Sequence, residues 1–262
     1  MTIALADLLA SGFGSVVGFI LALVGGGGSI LAVPFLVYGV GVASPHVAIG
    51  TGTVAVAVSA LANLLPHWRA GRVKWRCGAV FALSGVVGAL AGAELAKAVD
   101  GARLLMLFGA LMVVVGLIMF RRRGSAGDPE VRLSGATARR LLPRLVGAGF
   151  GVGALSGFFG IGGGFLIVPG LMLATGMPLA FAIGTSLVAV SAFGAATASS
   201  YAASGLVDWR LASIFVLGGL VGGLGGAALG RKLAGRKALL GQVFAGVVIS
   251  VGSYVLLRGF LA

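Results

Sequence analysis

At 262 residues, 59% of them hydrophobic and only 10% charged, with a mean hydropathy of +1.13, the chain carries more apolar surface than a water-soluble globule of this size can bury. Its net charge of +13 does not point to nucleic acid, because the basic residues stand beside apolar spans rather than on a soluble face. A single cysteine, Cys77, excludes a disulfide framework, and two distant histidines without an HExxH or CxxC motif give neither a metal centre nor any cofactor a foothold.

The chain opens on an apolar stretch, 2–24, with Asp7 inside it and neither a basic n-region nor a small-residue cleavage motif, so it reads as mature sequence. Five apolar segments follow one another in the first half, at roughly 10–24, 29–43, 47–65, 77–96 and 104–120. The last three have about the ~20 residues that a spanning helix requires. The first two are joined by the glycine run Gly25 to Gly28. Their counterparts in the second half, 145–159 and 165–175, are shorter and are joined by Gly160 to Gly164. Two short segments joined by glycine fit either a re-entrant hairpin or one broken helix. If the first segment starts at Ile3 it is long enough to cross, so six crossings with two hairpins and ten full crossings both stand.

The second half copies the first. A shift of 134 residues lays 48–76 on 182–210 without a gap, with twelve of 29 positions identical, including Ala-Ile-Gly-Thr at 48–51 and 182–185 and Gly-x-Val-x-Trp-Arg at 71–76 and 205–210. With one residue of slippage, 25–34 falls on 160–169. The expected fold is therefore an all-α polytopic membrane protein of two repeats, 1–120 and 145–262, around a basic linker, 121–144. Each repeat holds a glycine-broken or re-entrant hairpin plus three transmembrane helices.

Charge gives the orientation. The loop 67–76 carries Arg69, Arg72, Lys74 and Arg76, whereas its copy 201–210 carries only Asp208 and Arg210. The next loop reverses this: 97–103 holds Lys97, Asp100 and Arg103, and its copy 231–237 holds Arg231, Lys232, Arg236 and Lys237. By the positive-inside rule, equivalent loops lie on opposite faces, the linker with its seven arginines is cytoplasmic, and both termini are external. Inverted repeats interrupted by glycine form a recurring transporter plan. The same orientation puts Cys77 at the cytoplasmic end, within reach of an impermeant thiol reagent from that side alone.

No lysine or arginine falls within the expected spans, so an anion there would rest on helix N-termini and hydroxyls. The candidate binding residues are the glycines Gly26, Gly27, Gly28, Gly162, Gly163 and Gly164, with Ser29 as an N-cap after the first break. To these we add Thr51, Thr53, Thr185 and Ser186 in the first turns of the third segments. A Ser or Thr in such a helix equally bonds its own backbone or packs a close crossing. Pro34 and Pro169 read as helix-ending or kinking residues, Glu94 as a partner of Lys97 near the external end, and Trp68, Trp75 and Trp209 as interfacial anchors. His46 and His67 read as interfacial, and Asn63, inside a span, needs a partner that an adjacent helix supplies most cheaply.

Taken together, the glycine run followed by Pro, the Ala-Ile-Gly-Thr start of a long helix and the Gly-x-Val-x-Trp-Arg end, all duplicated, resemble the TauE/SafE family of sulfite exporters and related permeases. The resemblance covers nearly the whole chain. It implies a bacterial-type inner-membrane, multi-pass transporter of sulfite, organosulfonates or other small sulfur-containing anions, with the lipid bilayer as its other partner. The second copy departs from the first in carrying Gly164 for Ser29, Ser186 for Gly52 and Asp208 for Lys74. A membrane enzyme finds no nucleophile with a base and no cluster of acids or histidines. An anion channel and a non-transporting partner subunit remain the alternatives. Direction, coupling ion and oligomeric state have no signature in the sequence.

Overall fold

The computed structural model describes residues 3–24, 26–121, 128, 130, 131, 133–162, 164–232 and 237–261. The chain is helical: α1 (Ile3–Val24), α2 (Ala32–Pro34), α3 (Pro45–Arg69), α4 (Trp75–Lys97), α5 (Gly101–Arg121), α6 (Gly135–Phe159), α7 (Gly164–Thr175), α8 (Leu179–Ala203), α9 (Trp209–Lys232) and α10 (Lys237–Leu261). The turn α2 sits in the middle of a continuous coil, 26–40, that winds as a 3₁₀ helix over Gly26–Leu31 and as a π-helix over Phe35–Val40. Among the described residues, seven of the helices are long and apolar enough to cross a membrane, while the 26–40 coil, α7 and the apolar stretch of α10 are shorter. Their outer faces carry side chains such as Leu83, Val221 and Leu224 at 69–76% exposure, a girdle that only lipid can cover.

α1 runs from Ile3 for 22 residues and is thus long enough to cross, rather than the shorter segment starting near residue 10. The chain then folds back along it. Gly28 packs on Val17 and Leu21, and Gly39 on Phe13, whose ring stacks on Phe35 at 4.6 Å. α7 returns along α6 in the same sense, with Gly170 against Val152. Gly160 and Gly162 make the second turn with φ of 62° and 64°, a left-handed conformation that only glycine adopts without strain.

Glycine sets the helix pairing. In α1, Gly14 and Gly18 press on the backbone at Phe215 and Gly219 of α9. In α6, Gly153 and Gly157 press on the backbone at Gly85 and Ala89 of α4. Lipid tails are as apolar as leucine, so such pairs gain from close van der Waals approach rather than from escaping water. The order of these contacts makes α1 parallel to α9 and α6 parallel to α4. The helices with duplicated sequence run the other way: α3 and α8 meet antiparallel, Gly50 by Tyr201 and Ala57 by Gly194, and α5 and α10 meet antiparallel, Gly109 by Gly252 and Gly116 by Ile249. Exchanging one half for the other leaves this pattern of partners unchanged.

The two ends of the bundle differ in charge. Among the described residues, one end gathers Arg69, Arg72, Lys74, Arg76, Arg121, Arg139, Arg140, Arg144, Arg231, Lys232 and Lys237 against Asp128 and Glu130. There Arg72 meets Gly184 at the start of α8, the Asp128 N–H donates to the Gly176 carbonyl at 3.0 Å, and Arg76 reaches the Leu133 carbonyl at 3.5 Å. The other end holds Asp7, Glu94, Asp100 and Asp208 with Lys97, Arg103, Arg210 and Arg258, four of each sign. Trp68 and Trp75 at the basic end and Trp209 at the balanced end are exposed, as interfacial anchors are.

A methyl group at either interface tests the close approach. Gly18→Ala and Gly153→Ala are each expected to destabilise by about 1–3 kcal/mol, as overpacking does. Gly12→Ala and Gly151→Ala, where a Cβ meets nothing within 4 Å, should be neutral or stabilising by up to about 1 kcal/mol. Thermal unfolding of the four variants in one detergent gives the comparison.

Candidate functional site

The hydroxyls singled out from the sequence divide into two kinds. Thr51 and Thr185, both fully buried, each accept a backbone N–H from the other half of the chain. The Asp208 N–H donates to Thr51 Oγ1 at 3.0 Å, and the Lys74 N–H donates to Thr185 Oγ1 at 2.9 Å. Residues 51 and 185 are repeat equivalents, as are 74 and 208, so one bond is the image of the other. Each pins the loop that leads into α9 or α4, and the Asp208 carboxylate then accepts the Leu211 N–H at 2.9 Å as a helix cap. Thr53 and Ser186 instead donate to carbonyls of their own helices, at Gly50 and Ile183, both at 2.8 Å. The two threonines are not brought together, because α3 and α8 are antiparallel and carry them toward opposite ends.

The glycine turns do come together at mid-depth. Gly162 packs against Val56 and Val190, each one residue short of the midpoint of its 25-residue helix. Gly160 touches Ile49, Gly52 lies beside Ala32 and Leu36, and α7 contacts the 3₁₀ stretch Gly26–Leu31. Gly164 begins α7, and Gly163 lies outside the described residues. Ser29, fully buried, is inside the 3₁₀ turn rather than at an N-cap, because the run of glycines before it winds tightly from Gly26 onward. Pro34 ends the α-turn before the π stretch, and Pro169 lies inside α7.

Other polar residues have clear tasks. Glu94 pairs with Lys97 at 2.7 Å and accepts from Ser200 of α8 at 2.8 Å, while Lys97 donates to Ser204 at 2.9 Å. At the same balanced end Asp7 of α1 pairs with Arg210 of α9. The Asn63 amide donates to the Ser59 carbonyl of its own helix at 2.9 Å, not to a neighbouring helix, because Gly223 brings α9 so close that no partner side chain intervenes. Cys77 is 1% exposed, so its place near the basic end does not give a reagent access. Among the described residues no three His, Cys, Asp or Glu side chains could hold a metal ion.

Three hydroxyls escaped the sequence reading. Ser156, four residues before Gly160, and Thr197 and Tyr201, on α8, are fully buried, and among the described residues Ser156 Oγ, Thr197 Oγ1 and Tyr201 Oη have no hydrogen-bond partner. The only hint in the sequence is a serine in the last turn before the glycine run.

The family model of the sulfite exporter TauE/SafE matches residues 10–255. The chain belongs to the TauE/SafE family. It is 49% identical over 249 residues to a probable membrane transporter protein of Xylella fastidiosa strain Temecula1, covering 95% of this chain and 94% of that one. It is 27% identical over 272 residues to the probable membrane transporter protein YunE of Bacillus subtilis strain 168, covering 95% and 97%. No solved structure matches it. The protein is thus a multi-pass membrane transporter of the TauE/SafE type and not an enzyme.

The paired loop bonds carry a stability test. Thr51→Val and Thr185→Val each leave a backbone N–H without its acceptor, and each is expected to cost about 1 kcal/mol or more. Because the two sites lie at opposite ends, their effects should add within about 0.5 kcal/mol in the double variant. Thermal melts of the single and double variants measure both quantities.

Proposed function

We propose that this protein moves small sulfur-containing anions, sulfite or organosulfonates, across a bacterial-type inner membrane by alternating access between two repeats inserted in opposite orientations. The observation that carries the reading is the reciprocal pair of loop bonds, Thr51 with Asp208 and Thr185 with Lys74. A contact and its image at opposite ends, with antiparallel equivalent helices between them, suit two halves that rock about a site at their interface. The glycine turns at mid-depth supply that site: Gly26, Gly27, Gly28, Gly162 and Gly164 free backbone N–H groups and bring helix N-termini to the middle of the membrane, where a negative charge is stabilised. Thr53 and Ser186, two residues and one residue beyond the pinned threonines, add hydroxyl oxygens nearby.

Charge supports the orientation. The basic end faces the cytoplasm by the positive-inside rule, and the balanced end with the N-terminus of α1 faces outward. Neutral donors in place of cations also suit a carrier, which must release its anion as readily as it binds it.

Two measurements test this. In a Cys77→Ala background, Ala70→Cys should react with an impermeant maleimide only when the cytoplasmic face is open to it, and Ala98→Cys in intact cells; the reverse pattern would invert the topology. In proteoliposomes, labelled sulfite should show transient counterflow that unlabelled sulfite and organosulfonates suppress. Steady flux without counterflow would make the protein a channel, and no flux with folded protein would make it a partner subunit.

A further inference from the structure

Buried hydroxyls within a helix ordinarily return their proton to a carbonyl one turn back, as Thr53, Thr175 and Ser186 do here at 2.7–2.8 Å. Ser156 and Thr197 do not, although both are fully buried and both have such a turn behind them. An unpaired buried hydroxyl is costly, and a protein retains it where something else supplies the partner.

Their neighbours show where they point. On α6, Val152 and Ser156 share a face at i and i+4, and the chain turns at Gly160 just beyond the helix end; Val152 meets Gly170 of α7 and Gly160 meets Ile49 of α3. On α8, Val190, Gly194, Thr197 and Tyr201 form another; Val190 lies by Gly162, Gly194 by Ala57 and Tyr201 by Gly50. Ser156 thus stands one helical turn before the Gly160–Gly162 turn, and Thr197 lies on the face of α8 that packs on α3 between Gly50 and Ala57, the stretch on which that turn rests; α6 and α8 are themselves in contact. The N-terminus of α7, a helix of 12 residues, opens from that turn.

We infer that Ser156 and Thr197 are the donors that hold the oxygens of the transported anion, next to the N-terminus of α7, in a site belonging to the second repeat. This rests on the transport reading above and names the residues that discriminate the substrate. The repeat equivalents of the pair are Leu21 and Asn63, so the first repeat offers no second copy of it. Two neutral hydroxyls and one helix terminus compensate a single delocalised charge better than two, since the desolvation cost of an ion rises with the square of its charge. The ligand class is accordingly a small oxyanion presenting one negative charge on an SO₃ group, in preference to sulfate.

The test is equilibrium binding to purified full-length protein in detergent, read as the thermal shift given by methanesulfonate, by sulfite and by sulfate against sodium chloride at equal ionic strength, in buffer acidic enough to hold sulfite as the singly charged hydrogensulfite. Wild type should be stabilised by the first two more than by sulfate. Ser156→Ala and Thr197→Val should each weaken methanesulfonate binding by tenfold or more, the loss expected for a hydrogen bond to a charged group, while Thr197→Ser, which keeps the hydroxyl, should bind like wild type. Each variant's unliganded melt separates loss of binding from loss of fold. Undiminished binding in both Ser156→Ala and Thr197→Val overturns the site and leaves sulfur-anion transport standing. Absence of any shift in wild type, with no sulfite counterflow, overturns the two together.

Discussion

The backbone-to-backbone approach of α1 with α9 and of α6 with α4 is the constraint on which the rest of this structure depends. In lipid a helix gains little by burying leucine, so two helices hold together only where they can come near enough for their backbones to touch. Gly14, Gly18, Gly153 and Gly157 make that possible by having no side chain at the crossing. Both pairs join the first half of the chain to the second. Neither half is thus a self-contained packing unit, and the interface between them is as intimate as any contact within them.

That intimacy explains why the turns can sit at mid-depth. A break in a helix leaves N–H and carbonyl groups that lipid cannot satisfy, and such backbone survives in a membrane only when protein encloses it. Here α3 and α8, the most buried of the long helices, wall in the two glycine turns from opposite sides. At the balanced end the Asp7–Arg210 ion pair ties α1 to α9 a second time, while Glu94, paired with Lys97 in its own helix, accepts from Ser200 and so ties α4 to α8.

The class of protein, the family and the duplication were legible because they rest on composition and on pairs such as Trp75 and Trp209 at one spacing. The start of α1 at Ile3 was open, since Asp7 in an apolar run can mark either a loop or a snorkelling helix end, and its pairing with Arg210 depends on a helix two hundred residues away. Thr51 and Thr185 stood out through their repetition, but a repeated residue can serve the symmetry of the fold as well as its ligand, and their loop bonds are of the first sort. Ser156 and Thr197 were invisible for the opposite reason: they are not repeated, and only the three-dimensional neighbours of their helices reveal that they lack partners. Cys77 illustrates the limit of reading depth from a loop boundary, because a residue at a helix end is buried or open according to what packs over it.

The pairing of α1 with α9 also bears on how the chain is made. Gly14 must find Phe215, and at typical synthesis rates of about 5–20 residues per second the ribosome needs on the order of ten to forty seconds to deliver one after the other. Throughout that interval α1 lies in the bilayer with its glycine stripe facing lipid or the insertion machinery. α1 packs on the 26–40 coil soon after both are made but meets α9 only much later, so this closure comes late in the synthesis of the transporter.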